Sequence, residues 1–213
     1  MRLGLFGGTF NPPHLGHLIC AQEALLALGL DRVLLVPAGV PPHKAVPSDP
    51  GVQERVAMCE AAVAGDERLG VSRADADRDG PAYTVELLRA LRAAAPADEL
   101  WFVVGGDMAH SLPTWREPEA ILGLARLAVA EREEVGREAI RARLAGLAGA
   151  RERVAFFAMP RVDISSTLVR SRVAAGAPIR YLVPDAVAAH VARRGLYAAA
   201  APSGPPPILG GTA

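Results

Sequence analysis

Between Arg2 and Arg193 short apolar runs alternate with longer stretches of helical period, and that rhythm leaves few folds open. The runs are Arg2–Phe6, Arg32–Pro37, Leu69–Ser72, Glu99–Val104, Leu127–Ala130 and Arg153–Phe157. Helical patterns are expected at Leu15–Leu26, about 51–64, 84–95, 117–123, 136–147, 166–175 and 184–193. A run that is apolar throughout, not at every second position, must be covered on both faces, which is the condition of a parallel strand in an α/β sheet. The predicted fold is a doubly wound parallel sheet. In such sheets ligands bind beyond the carboxyl ends of the strands, where strand order reverses. The segments 7–17, 36–44, 105–107 and 160–166 all follow strands and are expected to converge on one cleft.

The chain has 213 residues, and at about 150 residues per domain one domain is favoured over two. That domain is placed at residues 1–197, and a structureless tail at 198–213, where Ser-Gly-Pro-Pro-Pro and Gly-Gly interrupt any periodicity. Basic and acidic residues balance at 23 each, so there is no overall basic field to wrap nucleic acid. No apolar run reaches the roughly 18 residues that span a bilayer, so neither a membrane partner nor export is expected. Cys20 and Cys59 are too few for a disulfide framework and are expected as buried thiols of a cytoplasmic protein. Lys44 is the only lysine in a chain that otherwise uses arginine, which fits a need for a compact ammonium at that place and equally a chance survival.

The first loop carries the most chemistry. Gly7 and Gly8 follow a strand and permit close backbone approach, Thr9 offers a hydroxyl, and the following helix aims its positive end at the cleft. His14 and His17 stand three apart at that helix start, so both rings project from one side, with Gly16 leaving room between them. A second anion site is expected at Ile164-Ser165-Ser166-Thr167, where hydroxyls cap a helix that also carries Arg170 and Arg172. Two such helix starts in one small protein point to a ligand with several phosphates. The Walker loop, the G-x-G-x-x-G dinucleotide fingerprint, the His-Glu-x-x-His zinc helix and the G-x-S-x-G elbow do not occur where their mechanisms need them. No protein metal site is expected.

Gly-Gly-Thr-Phe-Asn-Pro-Pro-His-x-Gly-His and Ile-Ser-Ser-Thr-x-Val-Arg resemble the two signatures of the nucleotidyltransferase superfamily that shares the (T/H)xGH motif. Pro41-Pro-His-Lys44, Gly80-Pro-Ala-Tyr-Thr84, Gly105-Gly-Asp107 and Leu112-Pro-Thr-Trp115 resemble the nicotinate-nucleotide adenylyltransferase family of bacterial NAD synthesis. The likeness runs from residue 3 to about 195. Val169 stands where that family usually has isoleucine, and Arg116 where an aromatic residue or histidine is common.

The resemblance implies a Rossmann-like nucleotidyltransferase fold and the transfer of the adenylyl group of ATP to nicotinate mononucleotide, with pyrophosphate released. It implies His14, His17, Lys44 and Arg170 as catalytic residues. Gly7, Gly8, Thr9, Phe10, Gly105, Asp107, Ile164, Ser165 and Ser166 would bind ATP. Asn11, Lys44, Tyr83, Thr84 and Trp115 would bind the pyridine nucleotide, Trp115 by stacking on its ring. Mg2+ would arrive on ATP, and a homo-oligomer would be compatible with the family. The alternatives are adenylyl transfer to phosphopantetheine, which shares both signatures, and a nucleotide-sensing module without turnover.

Overall fold

The computed structural model describes residues 1–39, 48–131 and 136–199. Lys44, the Pro-Pro-His-Lys segment and all of the expected tail beyond Ala199 lie outside the described residues.

Six strands form one sheet: β1 (Arg2–Gly8), β2 (Arg32–Pro37), β3 (Leu69–Val71), β4 (Glu99–Gly105), β5 (Arg126–Glu131) and β6 (Val154–Ala158). All pair in parallel, in the order β3-β2-β1-β4-β5-β6. The chain winds outward from β1 through β2 to β3, then returns to the other side of β1 to begin β4. The connections leaving β1 and β4 therefore part company, and a crevice opens between them at the carboxyl edge. Register makes that edge level: Gly7 and Gly8 lie opposite Val36 and Pro37, and Phe6 opposite Val103.

Successive residues of each strand serve opposite faces. Leu5, Val36, Phe102 and Val104 join one buried cluster with Val85 and Leu88 of α3 (Thr84–Ala94) and Ile121 of α5 (Pro118–Leu124). Phe6, Leu35, Trp101 and Val103 join the other, with Cys20, Ala21, Ala24 and Leu25 of α1 (Leu15–Leu28) and Cys59 of α2 (Val52–Val63). Trp101 and both cysteines are thus core residues, as their apolar settings predict. A third cluster joins Met58 of α2 to Val169 of α8 (Ser166–Ala174) and to Val187 and Val191 of α9 (Asp185–Arg194). It anchors the C-terminal helices beside the first loop.

Two of the turns are made at glycines. Gly29 takes the left-handed conformation, φ 57°, and its N–H closes the last turn of α1. Gly105-Gly106-Asp107, expected as a loop, instead turns directly from β4 into α4 (Gly106–Ser111), so Asp107 sits in a first helical turn. The apolar pattern of 106–111 is too short to announce a helix. Beyond β5 lie α6 (Arg137–Leu144) and the single turn α7 (Ala150–Arg153), and the helix expected to reach Leu147 stops three residues earlier.

Candidate active site

A cavity of about 440 Å³ opens at the crevice. Phe6, Gly7, Gly8, Thr9 and His17 of the first loop line one side, and Gly105, Asp107 and Met108 of the α4 start another. Tyr83 and Thr84, at the N-terminus of α3, line a third, together with Trp115 and Arg116.

The glycines are needed for space. A Cβ on Gly7 would stand 2.9 Å from the Phe102 ring, one on Gly8 2.9 Å from the Phe10 ring, and one on Gly105 2.9 Å from Asp107 Oδ1. A Cβ on Gly16 would press on the His14 ring at 3.1 Å. That ring is stacked on His17, centroids 3.7 Å apart. The backbone N–H of His14 donates to His17 Nδ1 at 3.1 Å. With Nδ1 accepting, the proton of the neutral ring belongs on Nε2, and His17 is a donor through that atom. His14 is 5% exposed and does not line the cavity; its neighbour His17 does.

The second signature meets the first loop directly. Ser166 Oγ donates to the carbonyl of Pro12 at 2.8 Å and Arg170 Nη1 donates to that of Asn11 at 2.7 Å. Ser165 caps α8 by accepting the N–H of Leu168. The loop expected to bind phosphate and the helix start expected to bind phosphate are therefore one structure, although Ile164, Ser165, Ser166 and Arg170 do not line the 440 Å³ cavity. Asn11 is buried. Its side-chain oxygen accepts from the Tyr197 hydroxyl at 2.6 Å, so this side of it faces the C-terminal segment. Phe10, at φ 50°, is packed edge-on to Phe6 and His17.

Three residues with no role in the sequence reading organise the site. Arg55 of α2 is 1% exposed and donates to the carbonyls of Thr9 (2.9 Å), Ala38 (2.7 Å) and Gly39 (3.0 Å), and to Asp49 (3.0 Å). It ties the loop after β1 to the loop after β2. With the Thr9 carbonyl turned toward Arg55, the N–H of the same peptide points the opposite way. Its signal is visible in retrospect: Arg55 falls in step with Met58, Cys59 and Ala62 on the apolar stripe of α2. Asp75 lines the cavity, accepts from Gly39 N–H (3.2 Å) and Arg78 (3.0 Å), and burial pushes its carboxyl above the usual range. Nothing in the Asp-rich segment 75–79 singled it out. Tyr197, half-buried and with its phenol pushed upward by desolvation, stands 186 residues from Asn11. His190 of α9 has a side chain 12% exposed and bonds Glu54 at 2.7 Å.

Trp115 packs edge-on to Phe102, centroids 6.2 Å apart, and its Nε1–H donates to Ser111 Oγ at 2.9 Å. Among the described residues no group of three or more His, Cys, Asp or Glu side chains is placed to hold a metal ion.

A parallel sheet with a glycine loop and paired imidazoles at its switch point is the architecture of a nucleotidyltransferase, and residues 5–172 match the family model described as cytidylyltransferase-like. The chain is 45% identical over 198 residues to a probable nicotinate-nucleotide adenylyltransferase of Thermomicrobium roseum, covering 92% of this chain and 91% of the relative. It is 43% identical to that of Thermus thermophilus, covering 92% and 100%. The nicotinic acid mononucleotide adenylyltransferase of Plasmodium falciparum, solved in complex with NaAD, shares the fold at a TM-score of 0.73 and 16% identity, over 92% of this chain and 97% of that one. The chain belongs to the nicotinate-nucleotide adenylyltransferase family.

Proposed function

We propose that this chain joins ATP and nicotinate mononucleotide to give nicotinate adenine dinucleotide and pyrophosphate, a step of NAD synthesis. An oxygen of the mononucleotide phosphate attacks the α-phosphorus of ATP, a new P–O bond forms, and the bond to the β-phosphate breaks. With its second pKa near about 6, a phosphate monoester is largely a dianion at neutral pH and needs no base to activate it. What the protein must supply is alignment and neutralisation of charge.

The observation that carries this reading is the placement of His17 on the cavity wall, with its Nδ1 engaged by the backbone of His14. In the proposal Nε2–H of His17 donates to an α-phosphate oxygen as charge builds there. Thr9 and the amides of the first loop hold neighbouring phosphate oxygens, while Ser165, Ser166 and Arg170 receive the departing pyrophosphate. Asp107 accepts a ribose hydroxyl. Trp115 offers its face to the pyridine ring, and the helix start at Thr84 offers its N–H and a positive dipole end to the ring carboxylate. Lys44 is assigned to the phosphates from the loop after β2. Magnesium enters as part of the ATP substrate. Buried thiols at Cys20 and Cys59 suit a reducing cytoplasm.

Pyrophosphate release tests the proposal. ATP with nicotinate mononucleotide should give stoichiometric pyrophosphate and the dinucleotide, and ATP with phosphopantetheine should give neither. Release only with phosphopantetheine, or with no acceptor at all, would contradict it.

A further inference from the structure

The wall of the cavity away from the first loop is aromatic and aliphatic, with Tyr83, Phe102 and Trp115 beside Leu87, Val104 and Ile121. Among the described residues that line it, one carries a guanidinium, Arg116. Such a slot suits a flat aromatic ring carrying a negative substituent.

Arg116 is held in place. Its guanidinium carbon lies 4.7 Å from the centroid of the Tyr83 ring, and Nη1 is 3.0 Å from Glu86 Oε1. Nε lies 3.9 Å from Glu117 Oε1. Glu86 is divided between two cations, since its other oxygen accepts from Arg78 Nη1 at 2.9 Å. Glu117 is likewise shared with Arg89, at 2.6 Å. Each carboxylate beside Arg116 thus answers to a second arginine. The five-donor fork exceeds what the two contacts require, and its place over the Tyr83 ring holds it on the cavity wall that Trp115 also lines.

We infer that Arg116 is a specificity-determining residue that favours the acid form of the pyridine nucleotide over the amide form. This rests on the function proposed above. A carboxylate on the ring carries a full charge and two acceptor oxygens that a guanidinium recognises through charge-assisted bonds, whereas a carboxamide is neutral and offers one acceptor, its other end being an NH2 donor. The side chain of Arg116 is 52% exposed, so water screens the attraction and the discrimination it adds is about tenfold, not thousandfold.

The experiment compares kcat/KM for nicotinate mononucleotide and nicotinamide mononucleotide in the unaltered chain, Arg116→Gln and Arg116→Lys. Arg116→Gln should lower the acid-to-amide ratio by about tenfold, with Arg116→Lys between the two and KM for ATP within about twofold of the parent. An unchanged ratio in Arg116→Gln, or an equal loss for both nucleotides, would overturn the inference while leaving the enzyme assignment standing. Failure of the unaltered chain to use either nucleotide would overturn both, and that is seen before any variant is made.

Discussion

Arg170 Nη1 and the carbonyl oxygen of Asn11 lie 2.7 Å apart across 159 positions of sequence, and this bond joins the helix at one end of the chain to the loop at the other. Ser166 reinforces it through Pro12, and Tyr197 through the Asn11 side chain. The loop that carries His14 and His17 is thereby fixed from behind by three residues of the last fifty. A loop preorganised in this way loses little order when a triphosphate arrives.

Replacing Arg170 by alanine removes both a cation and this strut. KM for ATP should rise by about tenfold or more, in line with a charge-assisted bond, while KM for the pyridine nucleotide moves less. Initial rates over an ATP series check this, and an unchanged ATP dependence would remove Arg170 from the triphosphate site.

His17→Ala should lower kcat by about a hundredfold, the usual loss when one transition-state donor is removed. KM for both substrates should change little by comparison, because the bond to the α-phosphate strengthens as the reaction proceeds. Single-turnover rates distinguish this from a binding defect.

Arg55 bonds three backbone carbonyls and Asp49 from a nearly sealed position. Arg55→Leu leaves those acceptors facing an apolar side chain and should destabilise the fold by about 3 kcal/mol or more. Urea unfolding reads this directly. A loss below about 1 kcal/mol would mean the two loops are held by other contacts.

Glu54 is held below the usual carboxylate range by its bond to Arg194 and then by that to His190, and these contacts join α2 to α9. A carboxyl whose folded value is depressed contributes stability above its unfolded value of about 4.3 and loses it as pH falls through the folded value. The Tm difference between the parent and Glu54→Gln should therefore be largest near neutral pH and shrink below about pH 4. A gap that stays constant down to pH 3 would contradict the assignment.

Most of the sheet was legible because continuous apolar runs leave few alternatives to a buried parallel strand. The edges of the first loop were legible too, since a Cβ at Gly7 or Gly8 would collide with a ring and one at Gly16 would crowd His14. The turn into α4 was not, because six residues that open on a glycine and follow another carry no helical period. Tyr197 and Asp75 were hidden for a different reason: each acts through a contact with a distant loop, at Asn11 and Gly39, and no local pattern encodes such a pairing. Arg55 lay between these cases, a charge set on an apolar stripe whose partners only the folded chain supplies.

The central claim is that the triphosphate of ATP is gripped between the first loop and the start of α8, with His17 at the reacting phosphate. A crystal structure with a non-hydrolysable ATP analogue tests it most directly. The account predicts His17 Nε2 within hydrogen-bond distance of an α-phosphate oxygen and Ser165 or Ser166 beside the terminal phosphates. A nucleotide bound elsewhere, or phosphates lying out of reach of His17, would contradict it.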